Sequence, residues 1–156
     1  MKIIVLLLTL AGSTQSFAGS FNPNAAGKYT LYMDQASGCP ENGELSIYSG
    51  GVQFVGVDRD PRLNWNVSVN DEPENDRNAK GNSCYSGSEK GSVGQDQALQ
   101  TSTCLYLVPP IYIKTKVSIE FEENSPAGSG RILHLYKSGV SSNWENRDCI
   151  YKQDEK

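Results

Sequence analysis

Apolar and polar residues alternate along much of this chain, and a period of two is that of a β-strand with one buried face. The longest run covers residues 111–122, where polar or charged side chains occupy every second position. The predicted inward row of this run is Ile111, Ile113, Thr115, Val117, Ile119 and Phe121. Residues 63–69 repeat the pattern, with Leu63, Trp65 and two valines on the inner side. The alternation therefore predicts long strands around a hydrophobic core.

Shorter segments with strand character fill most of the remaining chain, and turn-forming residues separate them. Ser49-Gly50-Gly51 is typical of a tight hairpin, because glycine adopts positive φ at little cost. About eight strands joined by such turns predict an all-β fold with an antiparallel meander. Long strands without internal proline favour closure into a small barrel, since an open sheet would expose unpaired edges. A two-sheet β-sandwich is the alternative.

Residues 70–97 depart from this pattern, because they are polar and rich in glycine and serine on both sides of Cys84. Stretches of this length without apolar periodicity predict a long loop. Its densest group of oxygen-bearing side chains includes four weak candidates for calcium ligands, Asp71, Glu72, Glu74 and Asp76. Their spacing does not match an EF-hand loop, so solvated loop charge is favoured and we expect no metal or other cofactor.

The N-terminal residues 1–18 have the pattern of a secretory signal peptide. Lys2 precedes a largely apolar run over 3–11, and Ser16-Phe17-Ala18 forms a small-x-small cleavage site. The apolar run is about half the ~20 residues that a membrane-spanning helix needs. Ser13 occupies the position at which a bacterial lipoprotein signal would have its lipidated cysteine. We therefore expect one domain, 19–156, secreted or periplasmic and without a membrane anchor.

Four cysteines lie in the predicted mature domain, and an even number in an exported chain predicts two disulfides. Four cysteines allow three pairings. We favour Cys84 with Cys104, which closes the polar segment onto the following strand. The second bond would then join Cys39 to Cys149 and tie the first loop to the last strand.

The balance of charges excludes two classes of partner. The whole chain has a formal net charge of −4, and removal of Lys2 with the signal peptide makes the domain one unit more negative. An acidic surface is repelled by phosphate backbones and by anionic lipid headgroups. We expect neither nucleic acid nor membrane as a partner.

Candidate catalytic residues are few, because the chain has one histidine and no recognisable nucleophile motif. His134 lies in a predicted strand with apolar residues on both faces, which is typical of a structural or rim position. A hydrolase that uses loop carboxylates near His134 is the enzyme alternative. The leading prediction is a protein that is not an enzyme.

Tyrosine is frequent, with eight in the chain, and several tyrosines fall opposite the aliphatic rows. Tyr112, Tyr32 and Tyr48 are the candidate binding residues, because an outward tyrosine offers a large contact area at small entropic cost. Cross-strand packing that only stiffens the sheet is the competing interpretation.

The first strand opens with Gly27-Lys28-Tyr29, which resembles the lipocalin opening, where a glycine precedes an aromatic residue by two positions. The resemblance covers three residues, and the aromatic is tyrosine where lipocalins have tryptophan. It implies a barrel that carries a small apolar ligand. The bulk of the inward rows favours a filled interior instead. The leading prediction is therefore a rigid scaffold that presents loops and tyrosines to a protein or glycan, as a secreted enzyme inhibitor does.

Overall fold

One antiparallel sheet contains all the strands of the structure, which is a computed structural model. It describes residues 20–34, 38–78, 84–107, 110–124, 130–139 and 147–155. The predicted signal peptide and its cleavage site lie outside these ranges. Within them the chain forms ten strands, which confirms the all-β class. The strands are β1 (Gly27–Asp34), β2 (Asn42–Tyr48), β3 (Gly51–Val57), β4 (Trp65–Asn70), β5 (Asn75–Asn78), β6 (Ser86–Val93), β7 (Gln97–Leu107), β8 (Pro110–Glu122), β9 (Ile132–Gly139) and β10 (Arg147–Gln153).

The sheet is a meander that curls into a nearly closed barrel. Successive strands pair from β1 to β4 and from β5 to β10, and β10 pairs with β1. β4 and β5 act as one bent strand, because β4 pairs with β3 and β5 pairs with β6. At the bend, the backbones of Glu72 and Gly91 exchange two hydrogen bonds, of 3.2 and 3.1 Å. Counted in this way, the barrel has nine strands, close to the eight or so expected from the turn signals.

The polar segment 70–97 is the main correction to the sequence analysis, since it contains β5 and β6 rather than one long loop. Backbone pairing with β7 holds β6 in place, and apolar alternation reaches only its last residues, where Val93 is buried. The closure between β4 and β6 leaves no room for a side chain at position 91. A Cβ atom there would lie 1.8 Å from the carbonyl oxygen of Asn70, so the two backbones approach where only glycine fits.

Large side chains fill the interior of the barrel. The predicted inward positions Trp65, Ile119 and Phe121 are buried, and Leu63 is not, because it ends a 3₁₀ turn (Pro61–Leu63) before β4 begins. The largest side chains under 2% exposed include Tyr29, Tyr151, Phe21, Phe54, Leu45, Ile119, Leu133 and Leu135. Such dense packing is typical of small barrels whose lumen is a core.

A short N-terminal segment seals one end of the barrel. Asn22 caps a 3₁₀ turn (Pro23–Ala25), its side-chain oxygen accepting from the backbone N–H of Asn24 at 3.0 Å. Phe21 and Ala25 insert into the core, and the buried Tyr29 hydroxyl donates to the Ala25 carbonyl at 2.5 Å. Burial raises the pKa of Tyr29, so this hydroxyl stays protonated as a donor.

Two disulfides join the pairs favoured from the sequence. Cys39 is bonded to Cys149 across 110 residues, and Cys84 is bonded to Cys104 across 20. The first bond ties the segment after β1 to the last strand, and the second ties the residues just before β6 to β7. In the part of the chain that the structure covers, no helix has the length and apolarity to cross a membrane.

Candidate functional site

The outer face of β1, β2 and β3 leaves apolar side chains in solvent. Alternation along β3 buries Val52 and Phe54 and turns Val55 and Val57 outward, where they are 40% and 55% exposed. Their cross-strand partners on β2 are polar, since Val55 lies opposite Glu44 and Val57 opposite Asn42. Two exposed valines surrounded by polar neighbours form a small apolar centre with a polar edge.

A groove of about 340 Å³ lies over these valines. Its lining includes Lys28, Asn42, Glu44, Val55, Val57 and Asp154. Asp154 is held at the edge by two contacts, because its carboxylate accepts from Thr30 Oγ1 at 2.8 Å and its backbone N–H donates to the Lys28 carbonyl at 2.9 Å. The groove therefore combines an apolar floor with two carboxylates and one ammonium group.

A β-bulge in β1 exposes two further large side chains beyond the groove. In the pairing with β10, Leu31 lies opposite Tyr151 and Met33 opposite Ile150, so Tyr32 is an extra residue. Tyr32 and Met33 are consecutive, yet they are 56% and 47% exposed. Bulges of this kind re-aim side chains and are frequent beside functional sites. Of the three predicted tyrosines, Tyr32 is the one at this bulge, on β1, which lines the groove together with β2 and β3.

Neither of the other two predicted tyrosines lines the groove, although Tyr48 is on β2 of the same outer face. Tyr48 ends β2 at the sealed end, and its hydroxyl donates to Asn70 Oδ1 at 2.6 Å across the end of β3. Tyr112 is 61% exposed near the start of β8, where it lies opposite Leu105. The exposed Tyr85 is near it, because the N–H of Tyr85 donates to the Leu105 carbonyl. The structure therefore does not gather Tyr32, Tyr48 and Tyr112 into one surface, and their binding role stays a prediction.

His134 lies on the outer face of β9 with carboxylates from both neighbouring strands. Its Nε2 contacts Asp148 Oδ1 of β10, and its cross-strand neighbour on β8 is Glu120. Both carboxylates come from strands, not from the loops of the enzyme alternative. Ser118, a hydroxyl on the same face, is 2% exposed and donates to Glu120 at 2.9 Å. That hydroxyl is committed to a carboxylate and is poorly placed as a nucleophile.

Polar side chains on this β8–β10 face contact one another. The Gln97 amide donates to Glu120 at 2.9 Å and holds the pKa of that carboxyl below its usual range, with a smaller contribution from Ser118. Lys116 lies over the ring of Tyr136, 5.8 Å from its centroid. The surface is thus a network whose groups are already paired.

The predicted calcium candidates lie at the bend between β4 and β5. Asp71, Glu72 and Glu74 are exposed, and Glu72 contributes its backbone to barrel closure. The side chain of Asp76 lies outside the described residues. Where the structure describes side chains, no three His, Cys, Asp or Glu residues are grouped so that they could hold an ion.

The inner surface carries a pair of cationic side chains that were not predicted from the sequence. Lys137 and Arg147 lie directly opposite each other on β9 and β10, and both charged groups approach the ring of Trp65. The sequence did contain a signal for this position. Leu133 and Leu135 belong to an inward row with a period of two, and Lys137 is the next residue of that row. Burial, and then the charge of Arg147, lower the pKa of Lys137.

Comparison with known proteins gives no relative for this barrel: no protein-family model matches the chain, and neither a curated protein nor a solved structure matches it.

Proposed function

We propose that this protein is a non-catalytic binding protein of the periplasm or extracellular space, and that the outer face of β1–β3 recognises a protein partner. The observation that carries the proposal is the groove floored by Val55 and Val57, with the exposed Tyr32 and Met33 further along β1. Exposed apolar side chains with a charged rim are characteristic of interaction sites.

The extent of this surface favours a protein over a free small molecule. Tyr32 and Met33 lie beyond the groove lining, so an occupant of the groove alone would leave them in water. Glu44 and Asp154 outnumber Lys28 around the valines. Charge complementarity therefore favours a partner segment with an apolar side chain next to a basic residue.

The filled lumen argues against the lipocalin-like alternative. Phe54 and Tyr151 are both fully buried, with ring centroids 4.9 Å apart, where a carrier would enclose its ligand. A ligand of drug-like size needs a cavity of several hundred Å³. Surface binding is therefore favoured over enclosure of an apolar ligand.

Export is the second part of the proposal and rests on the signal-peptide pattern together with the two disulfides. Disulfides persist in oxidising compartments and are rare in the cytosol. We expect N-terminal sequencing of the exported protein to begin at Gly19. Recovery of exported protein that still begins at Met1 would contradict this processing.

Site-specific photo-crosslinking tests the binding surface. A benzophenone amino acid replaces Val57 in one variant and Tyr112 in another, since both side chains are exposed but lie on different faces. Each variant is illuminated in the native exported fraction. We expect a discrete protein adduct from position 57 and not from position 112.

Specificity is checked by competition. Excess unlabelled protein should suppress the adduct, whereas the same protein carrying Val55→Asp, a change on the groove floor, should not. A competitor with Lys116→Gln, on the β8–β10 face, should suppress it fully. The proposal is wrong if the adduct is a second copy of this chain or a glycan, if both positions give the same adducts, or if Val55→Asp competes normally.

A further inference from the structure

Two cations face the barrel lumen at the end opposite the N-terminal seal. Lys137 and Arg147 form a directly opposed pair, and the next pair inward, Leu135 and Cys149, is fully buried. Because side chains alternate along a strand, both cations point to the same inner side. Lys137 Nζ lies 5.6 Å and Arg147 Cζ 5.7 Å from the centroid of the Trp65 ring.

Trp65 supplies a second, independent feature of this end. It is 6% exposed, and its Nε1 is the one buried side-chain nitrogen or oxygen without a hydrogen-bond partner among the described residues. An indole N–H can only donate, and a buried donor without an acceptor is costly. The missing partner must therefore be an acceptor.

We infer that Trp65, Lys137 and Arg147 form a binding site for the oxyanion head, carboxylate or phosphate, of a small ligand. The planar guanidinium of Arg147 donates in a geometry that matches either group. Lys137 supplies a second positive charge, and the Trp65 N–H supplies a neutral donor. The site is on the inner surface, so it does not depend on the outer β1–β3 face.

Electrostatics on this inner surface supports an anion. Burial lowers the pKa of Lys137 most and the charge of Arg147 lowers it further, so the two positive charges interact unfavourably and a bound anion would be attracted to both.

Anion titration with Trp65 as the reporter tests the site. The chain has two tryptophans, so Trp144→Phe leaves Trp65 as the single emitter. Sodium phosphate and sodium acetate are titrated separately at constant ionic strength, while emission and melting temperature are recorded. We expect a saturable change in emission and a rise in melting temperature with at least one of the two anions.

Three variants in that background define the outcome. Arg147→Gln should weaken binding about tenfold or more, because it removes charged hydrogen bonds. Lys137→Gln gives a second test if Arg147→Gln does not fold. Lys116→Gln is the matched control, because it removes a cation over a tyrosine ring on the outer surface. A linear response to both anions, or equal affinity in the Arg147 and Lys116 variants, would overturn the inference.

Discussion

The outer face of β1–β3 and the outer face of β8–β10 belong to the same barrel and cover the same core, but they differ in how their side chains are used. On β8–β10, Glu120 accepts hydrogen bonds from Ser118 and from Gln97 of the neighbouring β7, and His134 contacts Asp148. On β1–β3, Val55 and Val57 project into solvent over a groove. A paired polar surface stabilises a sheet by itself, whereas exposed valines gain only from a partner.

The largest effects should come from the core beneath the two faces, and they should be similar. Phe54 lies under the β1–β3 face and Ile119 under the β8–β10 face, both 0% exposed. Phe54→Ala should cost about 3–5 kcal/mol and Ile119→Ala about 2–5 kcal/mol of unfolding free energy. Denaturant melts measure both. A near-zero cost at Ile119 alone would show that the second face has no packed core under it.

A smaller effect is expected from the histidine of the paired face. His134→Ala removes the contact with Asp148, a partly exposed pair, and should cost about 1 kcal/mol or less. Thermal melts measure the loss, and crosslinking from position 57 should be unchanged. Turnover of ester or glycoside substrates by the parent protein that disappears in this variant would favour the hydrolase alternative instead.

Acid should reveal the same network through Glu120. The folded-state pKa of Glu120 lies below the usual value. Its contribution to the unfolding free energy is therefore fully present above the unfolded-state pKa and is lost as the pH falls through the folded-state pKa. Between about pH 5 and pH 3, the parent should therefore lose more stability than Glu120→Gln. Because the group is partly exposed, the difference should stay under about 1 kcal/mol. Identical acid melts would contradict the paired network.

The smallest effect on stability should come from the groove floor. Val55→Thr/Val57→Thr keeps both residues β-branched and removes only exposed methyl groups, so the unfolding free energy should change by about 0.5 kcal/mol or less. Denaturant melts measure it. A loss of several kcal/mol would show that these valines are structural.

Sequence alternation predicted the parts of the fold in which burial alone decides the structure. Ile119, Phe121 and Trp65 are inside as expected, because a one-residue slip would move each row into water. β6 was missed, since its serines and glycines have no apolar period and the strand is held by backbone pairing to β7. Such pairing leaves little trace in side-chain chemistry.

The candidate site could be predicted only in part. Tyr32 was singled out as an outward aromatic, but Val55 and Val57 were not, because an outward valine on a strand is locally indistinguishable from an inward one. The bulge that exposes both Tyr32 and Met33 is a register shift between β1 and β10, which lie far apart in sequence. Lys137 and Arg147 are opposite each other on neighbouring strands, and both approach the ring of Trp65, which is distant in the sequence.

The most direct test of the β1–β3 surface is the affinity of the partner identified by crosslinking, measured by titration calorimetry for three proteins. These are the parent, Val55→Thr/Val57→Thr and Tyr112→Ala. We predict that the valine variant binds about tenfold more weakly or worse, as expected for side chains at the centre of an interface, while Tyr112→Ala binds like the parent. Unchanged affinity in the valine variant, or a loss confined to Tyr112→Ala, would contradict the account.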